Sequence, residues 1–157
     1  HNLKKIKWVK SKNIHMTLFF LGNIPLHDIP KLTQSLEDIL DLTYFKASID
    51  TTGVFPSIQL PKILWLGVDS GRQKLLKLHE KIKIATSLFK ANKKKERFIP
   101  HITIGRVSRS YVKIDFLPFL RYVYSPIELN VNSISLYESQ LLPEGVEYKV
   151  LNTFPLH

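Results

Sequence analysis

The chain contains no cysteine, which excludes disulfides and thiolate metal sites and is compatible with a reducing compartment. Acidic residues are few, 13 against 23 Lys and Arg, for a formal net charge of +10. A surplus of that size favours anionic partners, such as nucleic acid, nucleotides or an anionic surface, or serves solubility alone; it does not bear on fold. No apolar run approaches the roughly 20 residues that span a bilayer. The basic N-terminus lacks the apolar run of a signal peptide. Domain linkers, low-complexity segments and short tandem repeats are missing as well. So are His-x-x-x-His spacing and any carboxylate cluster, which leaves no metal site to expect. What remains is a length of 157 residues, enough to bury a core in one domain over residues 1–157.

Two stretches stand out. Asn13-Ile14-His15-Met16-Thr17-Leu18-Phe19-Phe20-Leu21-Gly22 and Phe98-Ile99-Pro100-His101-Ile102-Thr103-Ile104-Gly105-Arg106 carry the same His-x-Thr core. Both are rich in β-branched and aromatic residues, which predicts strands over 14–21 and 101–106. On a strand, residues two apart share a face. His15 and Thr17 would then face one way and Met16, Leu18 and Phe20 the other. His101 and Thr103 would oppose Ile102 and Ile104. Two such faces set against each other would bring together two imidazoles and two hydroxyls.

The rest of the chain interleaves strands and helices. Extended segments are expected at 6–9, 44–55, 63–68, 127–138 and 146–154, with Gly53 suggesting a bulge or bend. Ile29, Leu32, Leu36 and Ile39 recur at helical spacing over 29–41, with Asp28 as N-cap. Leu75, Leu78, Ile82, Ala85 and Phe89 form the inward stripe of a helix running from Ser70-Gly71 to about residue 90. Residues 91–97 make a basic connector holding Lys93, Lys94 and Lys95. It is either a solvated loop or a contact for RNA phosphates. Residues 111–124 are mixed, and residues 141–150 read as a hairpin. The 86-residue offset between the two motifs fits duplication of a half-domain. The class is α+β: a bilobal, pseudo-symmetric domain with two antiparallel sheets facing a central cleft and helices outside.

A paired His-x-Thr toolkit suits a cyclic phosphate diester. One imidazole takes a proton from attacking water and the other gives one to the leaving ribose oxygen. Histidine's ordinary pKa of about 6.5 fits both roles. Threonine hydroxyls bond the non-bridging oxygens, and a cation offsets the charge that develops on them. Arg106 is the nearest cation, although strict alternation points it away from His101 unless Gly105 bends the strand end. His1 and His157 are terminal, His27 precedes a helix and His79 lies beside a core stripe, so these four are read as structural.

With their surroundings, the two motifs resemble those of the two-histidine phosphoesterase superfamily. The likeness is to its LigT-like RNA 2′,3′-cyclic phosphodiesterases, the 2′-5′ RNA ligase family. Trp8-Val9, Gly53-Val54-Phe55-Pro56, Pro61 to Val68, Tyr137-Glu138-Ser139, Gly145, Tyr148 and Phe154-Pro155-Leu156 extend the likeness over essentially the whole chain. The resemblance implies His15 as proton donor, His101 as base, Thr17 and Thr103 as phosphate ligands, and a basic residue at Arg106. It implies hydrolysis of RNA 2′,3′-cyclic phosphate ends to 2′-phosphates with no cofactor or metal, and a weaker 2′-5′ ligase activity. The partner would be RNA, tRNA fragments among the options, and no membrane; the protein would be a cytoplasmic monomer. Two departures stand out: the strand and helix that family members usually carry ahead of Trp8 are missing, and Lys62 stands where relatives often have Arg. A phosphodiesterase acting on a small cyclic-phosphate nucleotide and a non-catalytic RNA-binding module remain the alternatives.

Overall fold

The computed structural model describes residues 5–89, 97–108 and 114–157. Lys93, Lys94 and Lys95, to which a phosphate contact was assigned as one option, lie outside the described residues. The fold is α+β. Strands β1 (Ile6–Trp8), β2 (Phe45–Phe55), β3 (Ile63–Val68), β4 (His101–Val107) and β5 (Ile127–Val131) form one sheet in the order β1-β4-β3-β2-β5. The β1–β4, β4–β3 and β3–β2 pairs are antiparallel. Strands β6 (Ser133–Leu142) and β7 (Gly145–Pro155) form a separate antiparallel hairpin. Helices are α1 (Ile29–Ile39), α2 (Arg72–Ala85) and the short α3 (Leu117–Leu120). Among the described residues, no helix is long and apolar enough to cross a membrane.

The chain divides into two compact units. The first holds His1–Thr17, Ser48–Ser70 and Ile99–Glu128; the second holds Leu18–Ala47, Gly71–Phe98 and Leu129–His157. The first is built around Val54, Leu64 and Phe116, with Ile6, Ile104, Val107, Ile114, Phe119 and Leu120 packed against them. Val54 and Leu64 are cross-strand partners, so one face of the sheet is apolar and the alternate residues face away from it. In the second unit the helical spacing places Leu32 and Leu36 of α1 in the core, and Leu75, Leu78, Ile82 and Ala85 of α2.

Four expectations need correction. Residues 14–21 do not form a strand: a 3₁₀ turn at Ser11–Asn13 redirects the chain, and residues 14–25 carry no regular structure. Residues 127–138 are two strands in different sheets, broken at Asn132, whose carbonyl accepts the Leu156 amide. The second helix stops at Ala85, with Thr86 as its C-cap, whose amide and hydroxyl both donate to Ile82 O at 2.9 and 2.8 Å; Phe89 falls beyond it. Asp28 stands at the N-cap of α1 as expected, in a helical conformation and without a side-chain cap bond. Gly53 is not a bulge. The extra residue in β2 is Asp50, between the pairs Ile49–Val68 and Thr51–Gly67, and its carboxylate accepts the Asp69 amide at 3.0 Å. Gly53 is needed for another reason, which belongs to the site.

Candidate active site

All five residues singled out from the sequence, His15, Thr17, His101, Thr103 and Arg106, belong to the first compact unit. The second motif sits on β4, an interior strand of the sheet. His101 pairs with Gly67, Ile102 with Leu66 and Thr103 with Trp65. Cross-strand partners share a face, so His101, Thr103, Trp65 and Gly67 lie together on the face opposite Leu64.

The register then slips. Leu64 pairs with Gly105, and Ile63 with Arg106, which leaves Ile104 as an extra residue in β4. The slip settles how Arg106 is aimed. Ile104 packs on the Val54–Leu64–Phe116 core, and Gly105, opposite buried Leu64, keeps that same side. Alternation restarts one residue late. Arg106 therefore shares the face of Ile63 and Trp65, the face of His101 and Thr103. The bend comes from the bulge at Ile104. Gly105 permits it because a Cβ there would stand 2.8 Å from Ile6 and 3.1 Å from the Trp8 ring. On β1, Lys7 pairs with Arg106, which sets a second cation on that face; the sequence reading missed it, and the signal was its alternation with Ile6 and Trp8.

Aromatic rings wall the imidazole of His101. Phe55 meets it edge-on at 5.0 Å between centroids, Trp65 lies at 5.8 Å, and Phe55 and Trp65 are 5.0 Å apart. The Trp65 ring lies flat across its partner Gly53, where any Cβ would fall 2.1 Å from it. Gly67 is equally constrained, with a Cβ position 2.4 Å from Thr51 Oγ1 and 2.7 Å from the Trp65 ring. The two glycines thus hold a slot for the tryptophan that packs beside His101. Trp65 Nε1 is buried and finds no acceptor among the described residues.

The two histidines repeat one hydrogen-bond pattern. His15 Nδ1 lies 2.7 Å from Asn13 O, and His101 Nδ1 lies 2.6 Å from Ile99 O. In each case the acceptor is the carbonyl two residues earlier. A carbonyl can only accept, so Nδ1 carries a hydrogen in both rings, and Nε2 is the nitrogen left to exchange a proton. His15 Nε2 lies 3.0 Å from Thr17 Oγ1, so the hydroxyl of the same motif holds the ring at its working end. His15 is exposed and His101 half-buried.

Elsewhere in this unit, Tyr124 donates its hydroxyl to Thr51 O at 2.7 Å. Burial, and then the negative charge of Asp50, push its pKa above the ordinary value. No group of three or more His, Cys, Asp or Glu among the described residues could hold a metal ion.

A family model described as the 2′-5′ RNA ligase superfamily matches residues 5–141. An RNA 2′,3′-cyclic phosphodiesterase of Thermotoga maritima is 34% identical over 146 residues, which are 92% of this chain and 76% of that protein. The protein of the same name from Aquifex aeolicus is 34% identical over 155 residues, 96% of this chain and 81% of its own. The crystal structure of a Thermus thermophilus protein superposes with a TM-score of 0.78 at 25% identity, covering 98% of this chain and 83% of the other. E. coli LigT complexed with 3′-AMP gives 0.77 at 21% identity, with the same coverage of 98% and 83%, a likeness of fold alone.

Proposed function

The chain belongs to the 2′-5′ RNA ligase superfamily, and from that premise we propose that it hydrolyses 2′,3′-cyclic phosphate ends of RNA to 2′-phosphates. The observation that carries the reading is the repeated Nδ1-to-carbonyl bond of His15 and His101. It leaves each imidazole with Nε2 as its reacting nitrogen, the condition for one base and one acid of the same kind.

In this reading His101 is neutral and its Nε2 takes a proton from water as the water oxygen bonds to phosphorus. His15 is protonated on both nitrogens; its Nε2 gives a proton to the 3′ oxygen as the bond from phosphorus to that oxygen breaks. The product carries a 2′-phosphate and a free 3′-hydroxyl. Thr17 and Thr103 hydrogen-bond the non-bridging oxygens, and Arg106 offsets the charge gathering there. The T-shaped contact of Phe55 with His101 holds the ring in plane while it changes charge.

We infer a single catalytic domain over residues 1–157, a cytoplasmic monomer that needs no metal or cofactor. Joining RNA ends through a 2′-5′ linkage is a weaker activity of the same site. The net charge of +10 supports a polyanionic substrate, so binding should weaken steeply between low and physiological salt.

The test is incubation of an oligoribonucleotide ending in a 2′,3′-cyclic phosphate, with and without a chelator, and identification of the product phosphate. A 2′-phosphate formed at a chelator-insensitive rate is expected. Retention of the cyclic end with tight RNA binding would replace this reading with a non-catalytic RNA-binding module. Turnover confined to mononucleotides would replace RNA with a small cyclic-phosphate nucleotide.

A further inference from the structure

His79 lies within α2, on the helix side that also buries Leu75, Leu78 and Ile82, and its side chain is only 13% exposed. Nothing in its sequence context separates it from a packed core histidine. Its contacts do. His79 Nδ1 donates to the carbonyl oxygen of Leu18 at 2.7 Å. Its ring stacks face to face on Phe98, with centroids 4.2 Å apart and planes within 4°. Phe19 closes on it at 5.6 Å, tilted by 45°. The other ring nitrogen stands 4.0 Å from Glu80 Oε1, beyond hydrogen-bond distance.

The places touched are informative. Leu18 is the residue after Thr17, and Phe98 comes three residues before His101. One imidazole therefore meets the chain immediately after the first His-x-Thr motif and shortly before the second. The first contact carries particular weight because residues 14–25 form no strand. Among the described residues no ladder fixes that segment, and the partner of the Leu18 carbonyl is this side chain.

We propose that His79 is a positioning residue for the two-histidine reaction. It holds the chain at Leu18 by a hydrogen bond and at Phe98 by stacking, and so sets how His15 and His101 are presented to the phosphate. The proposal rests on the phosphodiesterase reading above. A displacement of about 1 Å at a reacting group costs on the order of 10²-fold in rate, so a clip remote from the phosphate is enough to govern turnover.

Three variants separate the two contacts. His79→Phe keeps a stacking ring and removes the donor. His79→Asn keeps an amide N–H near the place of Nδ1 and removes the ring. His79→Ala removes both. On an oligoribonucleotide with a 2′,3′-cyclic phosphate end, kcat should fall about tenfold in the Phe and Asn variants and about 10²-fold in the Ala variant. KM should stay within about twofold, because the phosphate ligands are untouched. The imidazole NMR signals of His15 should move in His79→Phe, and those of His101 in His79→Asn. Phe and Asn variants with wild-type kcat and unmoved ring signals would overturn the proposal. So would a loss of rate that tracks the folded fraction and vanishes on cooling well below Tm. If the wild type itself leaves the cyclic phosphate intact, the phosphodiesterase reading fails. The ring signals then decide the clip by themselves: moved signals keep His79 as the holder of both motifs, and unmoved ones remove it.

Discussion

The two His-x-Thr motifs carry the same residues on different supports. The second lies on β4, paired on one side with β3 and on the other with β1. The first follows a 3₁₀ turn and pairs with no strand among the described residues. Its carbonyls at Asn13 and Leu18 are taken instead by the side chains of His15 and His79. Yet the local device that orients each motif imidazole is identical, a bond from Nδ1 to the carbonyl two residues earlier. The lesson is that orienting a histidine needs only two residues of local backbone. Holding that backbone in place is a separate task, performed by a ladder in one motif and by side-chain clips in the other.

The comparison breaks most readily in amide exchange. Ladder amides of β4 should open only with large-scale unfolding, whereas those of Met16 and Thr17 should open locally. The expected ratio of protection is about 10³ or more, since local opening approaches zero cost while global opening costs about 5–15 kcal/mol. Equal protection would mean that the first motif is held as firmly as a strand. Replacing Gly53 with Val should next perturb the ladder-borne motif alone. Its Cβ would meet the Trp65 ring at 2.1 Å, and overpacking of this kind costs about 1–3 kcal/mol. The measurement is the denaturant midpoint, together with the ring signals of His101 and His15; only those of His101 should move.

Smaller effects sharpen the comparison. Thr17→Ala and Thr103→Ala should each lower kcat roughly tenfold to a hundredfold, the loss of a neutral donor to a phosphate oxygen. Thr17→Ala should be the more harmful, because Thr17 also holds His15 Nε2 at 3.0 Å. Titration of Tyr124 is expected to give the smallest signal. Its folded pKa is raised, so its contribution to stability is complete below the ordinary tyrosine value of about 10. That contribution is lost as pH rises through the higher folded value. Tyr124→Phe should flatten that alkaline loss in a stability–pH profile.

Much of the arrangement was legible in the sequence because it follows from local pattern. The buried stripe of α2, Leu75, Leu78, Ile82 and Ala85, is a helical repeat. The pairing of His with Thr on one face of β4 is a strand repeat. What escaped depends on partners. Residues 14–21 have strand composition, but composition cannot say whether another strand lies alongside. A single extra residue at Ile104 turned Arg106 to the face of His101, and no apolar pattern marks a register slip. Gly53 reads as a bulge until the Trp65 ring is laid across it. His79 looked like core because its two partners are distant in sequence.

The central claim is that imidazoles from these two differently supported segments act on one phosphate as a single unit. The most direct measurement is kcat on a 2′,3′-cyclic phosphate RNA end for wild type, His15→Ala, His101→Ala and the double variant. Each single replacement should lower kcat by about 10²–10⁴-fold. The double variant should lose far less than the product of the two, because removing either member already disables the pair. Undiminished turnover in His101→Ala, or losses that simply multiply in the double variant, would contradict the account.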